Sequence, residues 1–197
     1  MQTFWNFVTD FGDTAVTLPL AAVTVVFLLI SRWSRAALFF ALSLAGCGLA
    51  IGLVKLTLES CGRPLLHTDI TNPSGHAAVS TAVYGALATL FARNASIERR
   101  WIPAAGGAIL LTGITASRIV LDTHSPAEVV IGLLIGLAAL AAFYRALTMS
   151  ALVKFQSRWL AIAALVVVAT MHGTRWPIEE VVRDIARLIR HTVPSCA

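Results

Sequence analysis

Three short polar stretches hold the residues of this 197-residue chain that are equipped for chemistry. KLTLESCGRP contains Lys55 and the pair Arg63-Pro64. Pro73-Ser74-Gly75-His76 follows, and SRIVLDTHSPAE adds Ser117, Arg118, His124 and Glu128. Lys55, Arg63 and Arg118 are cations that repel one another unless they share an anion. A phosphoryl group suits them, because guanidinium binds it bidentately. Ser74 and Gly75 open an expected helix, whose first-turn N–H groups lack intrahelical partners and point at an anion. Gly75 lets that backbone approach closely. Hydrolysing a phosphate ester without a metal needs a nucleophile and a proton donor for the leaving oxygen. Imidazole performs either task near neutral pH. His124 precedes Glu128 by one helical turn if a helix begins there. A carboxylate on one ring nitrogen fixes the tautomer and frees the other nitrogen to attack phosphorus.

Each feature alone has a plainer reading. An interfacial Lys55 snorkels to the headgroups. Ser125-Pro126-Ala127-Glu128 is a capping box with proline at the first helical position, which gives Glu128 a structural task. His76 by itself reads as structural. The chemical reading gains weight because all three clusters fall on one side of the chain's predicted layout.

The chain is 57% hydrophobic and 13% charged, about half the charge of an ordinary soluble domain. It reads as an all-α integral membrane bundle. Despite a pI near 9.7, the basic residues lie between apolar runs, a topology signal and not a nucleic-acid footprint. Six spans are expected over 14–30, 36–56, 76–91, 101–120, 126–144 and 151–171. They are rich in the small residues that let helices pack closely in lipid. No Lys or Arg precedes Arg32, so the start lacks the basic region of a cleaved signal and is read as retained. Residues 1–171 are expected to form the membrane domain and 172–197 an amphipathic tail.

Arg32, Arg35, Arg93, Arg99, Arg100, Arg145, Lys154 and Arg158 fall in the loops of one face, with Glu98 as its acid. The positive-inside rule makes that face cytoplasmic. Both termini and all three polar clusters then lie on the other side, the periplasm if the membrane is a bacterial inner membrane. From 177 to 191 Ile178, Val181, Val182, Ile185, Leu188 and Ile189 recur at helical spacing against charged neighbours, an amphipathic surface helix. It reads either as a passive anchor or as a lid over the site. Cys47 is expected to pack as a small hydrophobe. Cys61 and Cys196 fall on the outer face, either as a disulfide tying the tail over the site or as two thiols.

The three motifs resemble those of the type-2 phosphatidic acid phosphatase superfamily, which shares its site with vanadium haloperoxidases and bacterial non-specific acid phosphatases. Its signature runs Lys-x6-Arg-Pro, Pro-Ser-Gly-His, then Ser-Arg-x5-His-x3-Asp. The second part stands intact at 73–76, and the third as Ser117-Arg118, His124 and Glu128. The first has one residue too many between Lys55 and Arg63. That puts Lys55 in question more than Arg63, unless a loop around Gly62 absorbs it. The resemblance implies His124 as nucleophile, His76 as proton donor and Glu128 as orienter. Lys55, Arg63, Ser74, Gly75 and Arg118 would hold the phosphoryl oxygens, with no metal or cofactor. It implies a lipid phosphate or polyprenyl diphosphate as substrate, met within the bilayer. A lipid phosphotransferase using the same site is the near alternative, and a non-catalytic lipid-phosphate binder or transporter the distant one.

Overall fold

A computed structural model describes residues 1–66, 70, 72–149 and 156–192, the side chains of 61–66 and 190–192 excepted. Among the described residues there are helices and no strand. In chain order they are α1 (Gln2–Asp10), α2 (Thr14–Ile30), α3 (Ser34–Leu66), α4 (Gly75–Asn94), α5 (Trp101–Val120), α6 (Pro126–Thr148), α7 (Ser157–Met171) and α8 (Ile178–Thr192). A single 3₁₀ turn, Ile97–Arg99, leads into α5. The stretches Gln2–Ile30, Ser34–Ser60, Gly75–Asn94, Ile97–Val120 and Pro126–Thr148 are long and apolar enough to cross a membrane. The apolar α7 has 15 residues, about 22 Å against a hydrocarbon core of ~30 Å, so the expected count of six is approximate.

The boundaries follow local chemistry. Asp13 caps α2, its Oδ1 accepting the Ala15 N–H at 2.8 Å. Ser74 caps α4, its Oγ accepting the Ala77 N–H. Ser125 and Glu128 close a full capping box on α6 with Pro126 at its start. Expected spans 14–30 and 101–120 coincide with α2 and α5. Of the expected sixth span, 151–155 lies outside the described residues.

Two expectations need correction. Helix α1 precedes the first expected span, where sequence reading placed nothing. Helix α3 runs unbroken for 33 residues, roughly 50 Å, so no loop surrounds Gly62. The first motif therefore sits on the C-terminal part of one continuous helix, with Lys55 about 30 Å from its start.

Helix α4 is the central element and packs most extensively on α6 and α5. Its side chains are small, and 77–87 is buried without a break. Two glycines on α6, four residues apart, make this possible. A Cβ on Gly132 would collide with the Ser74 carbonyl oxygen, and one on Gly136 with the Ala78 carbonyl oxygen. The two backbones touch, as small residues permit in lipid. Large side chains point outward instead, among them Leu38, Leu42 and Leu49 on α3, Ile109 on α5 and Leu134 on α6. At the basic end Arg93 Nη1 donates to the Leu147 carbonyl at 2.8 Å and Asn94 Nδ2 to Ser157 Oγ at 2.9 Å, tying α4 to α6 and α7.

The contact between α4 and α6 gives a direct test. Gly132→Ala should lower stability in detergent by at least about 1–3 kcal/mol, the range for overpacking, read as a fall in thermal midpoint. Gly46→Ala, whose new methyl meets open space, should leave the midpoint unchanged or raise it slightly.

Candidate active site

Helix directions bring Lys55 at the outer part of α3, the N-terminus of α4, the C-terminus of α5 and the N-terminus of α6 to one end of the bundle. Helix α5 ends in a Schellman turn. Asp122 takes a left-handed conformation (φ 55°), which aspartate tolerates better than most residues. The Asp122 N–H bonds the Ile119 carbonyl at 3.0 Å and the Thr123 N–H bonds the Arg118 carbonyl at 3.1 Å. The N–H of His124 reaches the same Arg118 carbonyl at 3.2 Å. The reversal thus presents His124 immediately behind the Arg118 helix end.

The His124 ring is buried. Its Nδ1 lies 2.8 Å from the Asn72 carbonyl oxygen, so the Nδ1–H tautomer fits and leaves Nε2 with a free lone pair. Nε2 is buried and has no hydrogen-bond partner. Glu128 stands behind this arrangement. Its Oε2 is 3.6 Å from Nδ1, beyond a hydrogen bond, and accepts the Ser125 N–H at 3.0 Å. Its Oε1 accepts the Asn72 N–H at 2.8 Å. The Glu128 carbonyl accepts the Ser74 N–H at 3.0 Å. One residue therefore caps α6 and fastens both the strip that touches His124 and the entrance to α4.

His76, in the first turn of α4, turns Nε2 toward Asp13 Oδ2 at 3.7 Å. Arg118 is buried; its Nη1 donates to Thr9 Oγ1 at 3.1 Å, while its Nε has no partner. Ser117 bonds the Ile114 carbonyl of its own helix. Gly75 faces Lys55: a Cβ there would lie 3.8 Å from Nζ, within the space between the ammonium and the helix N-terminus. The side chains of Arg63 and Cys61, and all of Cys196, lie outside the described residues, as does the proposed disulfide. Cys47 is a buried free thiol. Lys55, at the start of the first motif with its one extra residue, is 5% exposed and lies beside the start of α4. On a helix, positions i and i+7 share a face and i+8 is turned about 80° away.

Sequence reading missed the group at the centre. Glu179, in the first turn of α8, places Oε1 3.2 Å from Lys55 Nζ, 3.9 Å from His124 Nε2 and 4.0 Å from His76 Nδ1. Burial pushes its carboxyl upward, but Lys55, His76 and Arg118 outweigh that and hold it at about 2. Thr9, Asp13 and Asn72 were missed as well. Only Asp13 had a readable signal, as an acidic residue just before an apolar helix.

Two cavities meet here. A polar cleft of about 560 Å³ is lined by Thr9, Asp10, Asp13, His76, Arg118 and Glu179, among others. An apolar groove of about 230 Å³ runs between α2, α3, α4 and α8 past Leu18, Gly48, Ile51, Gly52 and Val79 to Lys55 and His76. The site can therefore hold an anion between two imidazoles and two cations, with an apolar substituent alongside.

The sequence profile of the PAP2 superfamily matches residues 36–152. The chain belongs to the PAP2 superfamily. Its members are generally phosphatases, and the chain carries that phosphatase-type fold in a membrane-helix bundle. An uncharacterized 22.5 kDa protein in the cps region of Klebsiella pneumoniae is 31% identical over 140 residues, covering 71% of this chain and 67% of that protein. No solved structure matches the chain significantly.

Burial first, then the charge of Arg118, hold the His124 imidazole below its ordinary value, with Lys55 adding to the effect. Glu179 and the Asn72 hydrogen bond pull the other way without prevailing. The ring should thus stay neutral until the pH is below about 6.5. The unfolded chain takes up that proton first, so the native state should lose stability as pH falls through about 6.5. Nitrogen-15 NMR of histidine-labelled protein should show His124 as the Nδ1–H tautomer at neutral pH. A ring already protonated at neutral pH would contradict the geometry.

Proposed function

We propose that the chain is a membrane-embedded lipid phosphatase that removes a terminal phosphate from a lipid phosphate or polyprenyl diphosphate through a phosphohistidine, without a metal. One observation carries the reading: an unpartnered, buried imidazole nitrogen, His124 Nε2, faces an anion position that Lys55 and His76 also face. A nucleophile aimed at a bound anion is what in-line phosphoryl transfer needs.

The steps balance as follows. Nε2 of neutral His124 attacks phosphorus, and the ester P–O bond breaks. The leaving oxygen takes a proton from His76 in its imidazolium form. The phosphoryl oxygens are held by Lys55, Arg118, Arg63 and the first-turn N–H groups of α4. Asn72 and Glu128 hold the ring while it bears the phosphoryl group. Water then attacks the phosphohistidine and gives its proton to neutral His76. The P–N bond breaks, releasing inorganic phosphate and restoring both histidines. The headgroup would occupy the polar cleft and the chain the apolar groove, entered sideways from the bilayer. The basic loops at the far end favour a site on the outer, periplasmic leaflet of a bacterial inner membrane.

Purified protein in detergent, with EDTA present, should release phosphate from a panel holding phosphatidic acid, phosphatidylglycerol phosphate and undecaprenyl diphosphate. His124→Ala should lower kcat by on the order of 10³-fold or more, as loss of a nucleophile does. A phosphoenzyme that is acid-labile and base-stable should be trapped when the wild-type reaction is quenched rapidly into alkali, and should be absent from His124→Ala. Release that disappears with EDTA would reject the metal-free route. Phosphate reaching a second lipid instead of water would make the protein a phosphotransferase.

A further inference from the structure

A further cavity lies at the opposite end of the bundle from the candidate active site and shares no lining residue with it. It is a cleft of about 620 Å³ between α4, α5 and α6. Helices α5 and α6 each pack broadly or in part on α4 but meet each other little, which leaves a gap between them. Helix α4 closes the floor: a Cβ on Gly107 of α5 would collide with Ala88 of α4. Ala88, Ala104, Ala108 and Leu140 form the walls, and Gly85 and Leu111 line the deep part.

The length of the cleft is that of one leaflet. Along α5 it runs from the N-cap, Arg100, to Leu111, about 16 Å. Along α4 it runs from Arg93 back to Gly85, about 12 Å. Half of a hydrocarbon core is about 15 Å. A chain lying in the cleft therefore starts at the basic surface and ends near the bilayer centre.

Charge is confined to the outer end. Arg93 and Arg100 line the cleft, and no acidic residue does among the described residues. Arg93 Nη1 donates to the Leu147 carbonyl at 2.8 Å, which fixes the guanidinium beside the end of α6 and leaves its other N–H donors for a second acceptor. Arg100 is exposed and forms no ion pair among the described residues. Tyr144, on the same rim, combines an apolar ring with a hydroxyl, as suits a membrane interface. Arg99 and Arg145 belong to the same face but lie outside the lining.

An apolar slot one leaflet deep, with two arginines at its mouth, matches a phospholipid of net negative charge. A helix from a second copy of the chain matches it less well. The loops at this end hold Glu98 as their acid among many bases, so a parallel copy brings arginine against arginine. Independently of the phosphatase reading, we propose that the cleft between α4, α5 and α6 binds an anionic phospholipid of the leaflet at the basic end, its phosphate between Arg93 and Arg100 and an acyl chain between α5 and α6. The lipid braces two helices that are joined, at their far ends, by the turn that carries His124.

The test uses the full chain, delipidated in a non-ionic detergent. Dioleoyl phosphatidylglycerol and dioleoyl phosphatidylcholine share their chains and differ in net charge. Native mass spectrometry reads the apparent Kd of each. Wild type should prefer phosphatidylglycerol, and its thermal midpoint should rise more with that lipid. Arg100→Gln should narrow the preference by about fivefold, the worth of one basic residue at an anionic headgroup. Arg93→Gln should do likewise; the exposed Arg100 keeps the test decisive if loss of the Leu147 bond unfolds that variant. Arg99→Gln removes a neighbouring charge of the same face and should keep the wild-type preference, as should Lys55→Ala at the other end. Ala104→Phe fills the cleft and should weaken binding of both lipids. Inorganic phosphate, with charge and no chain, should not displace phosphatidylglycerol at equal concentration.

An unchanged preference in Arg100→Gln would overturn the proposal. Equal narrowing in Arg99→Gln would reduce the effect to the general charge of that face and overturn it too. Loss of the preference in Lys55→Ala would move the lipid to the candidate active site. Displacement by inorganic phosphate would leave a plain anion site, and a dimer that Ala104→Phe dissociates would give the cleft to a second copy; either result rejects the lipid.

Discussion

Lys55, Arg118, His76 and His124 converge in a desolvated mouth, and such a mouth needs an anion. Charges at these separations interact several-fold more strongly near a protein interior than in water. Two cations side by side, with two imidazoles that would add charge on protonation, are tenable there only around a negative group. Glu179 supplies it in this structure. Burial first, and then the repulsion a third cation would meet beside Arg118 and Lys55, keep the imidazole of His124 on the neutral side. Neutrality is also what the proposed nucleophilic role of His124 would require.

Holding the cluster together is a mechanical problem, solved by backbone contact. Gly132 and Gly136 let α6 lie directly on α4, which brings the capped start of each helix to the same level. From there Glu128 reaches Asn72 and Ser74 through hydrogen bonds of 2.8 and 3.0 Å. A bulkier side chain at either glycine would push the Pro73–His76 turn away from His124 while leaving the motifs intact in sequence. The position of the second motif therefore depends also on Gly132 and Gly136, which belong to none of the three.

Local features were legible in the sequence and distant ones were not. Hydropathy gave α2 and α5 to the residue, because the apolar run that forms each is a local feature. Capping chemistry at Ser74 and Ser125 was legible for the same reason. Helix α1 was not, since its apolar face, with Phe4 and Phe7, is too short to read as a span. The continuation of α3 through Gly62 and Pro64 ran against the usual meaning of those residues. Glu179 was invisible because its role depends on α8 folding back across α3. Its spacing within α8 marks it only as one polar-face residue among several. Thr9 and Asn72 act through a hydroxyl and a carbonyl that a great many positions offer.

The first motif shows how one inserted residue is resolved when it falls on a helix. A loop would spread the difference over several torsions, and both cations could keep their places. A continuous α3 has no such freedom. Each residue turns the face by about 100°, so only one of the two positions can retain the register that the family's spacing sets. Lys55 is the one engaged, through Glu179. Position 63 is two turns farther out and rotated onto another face.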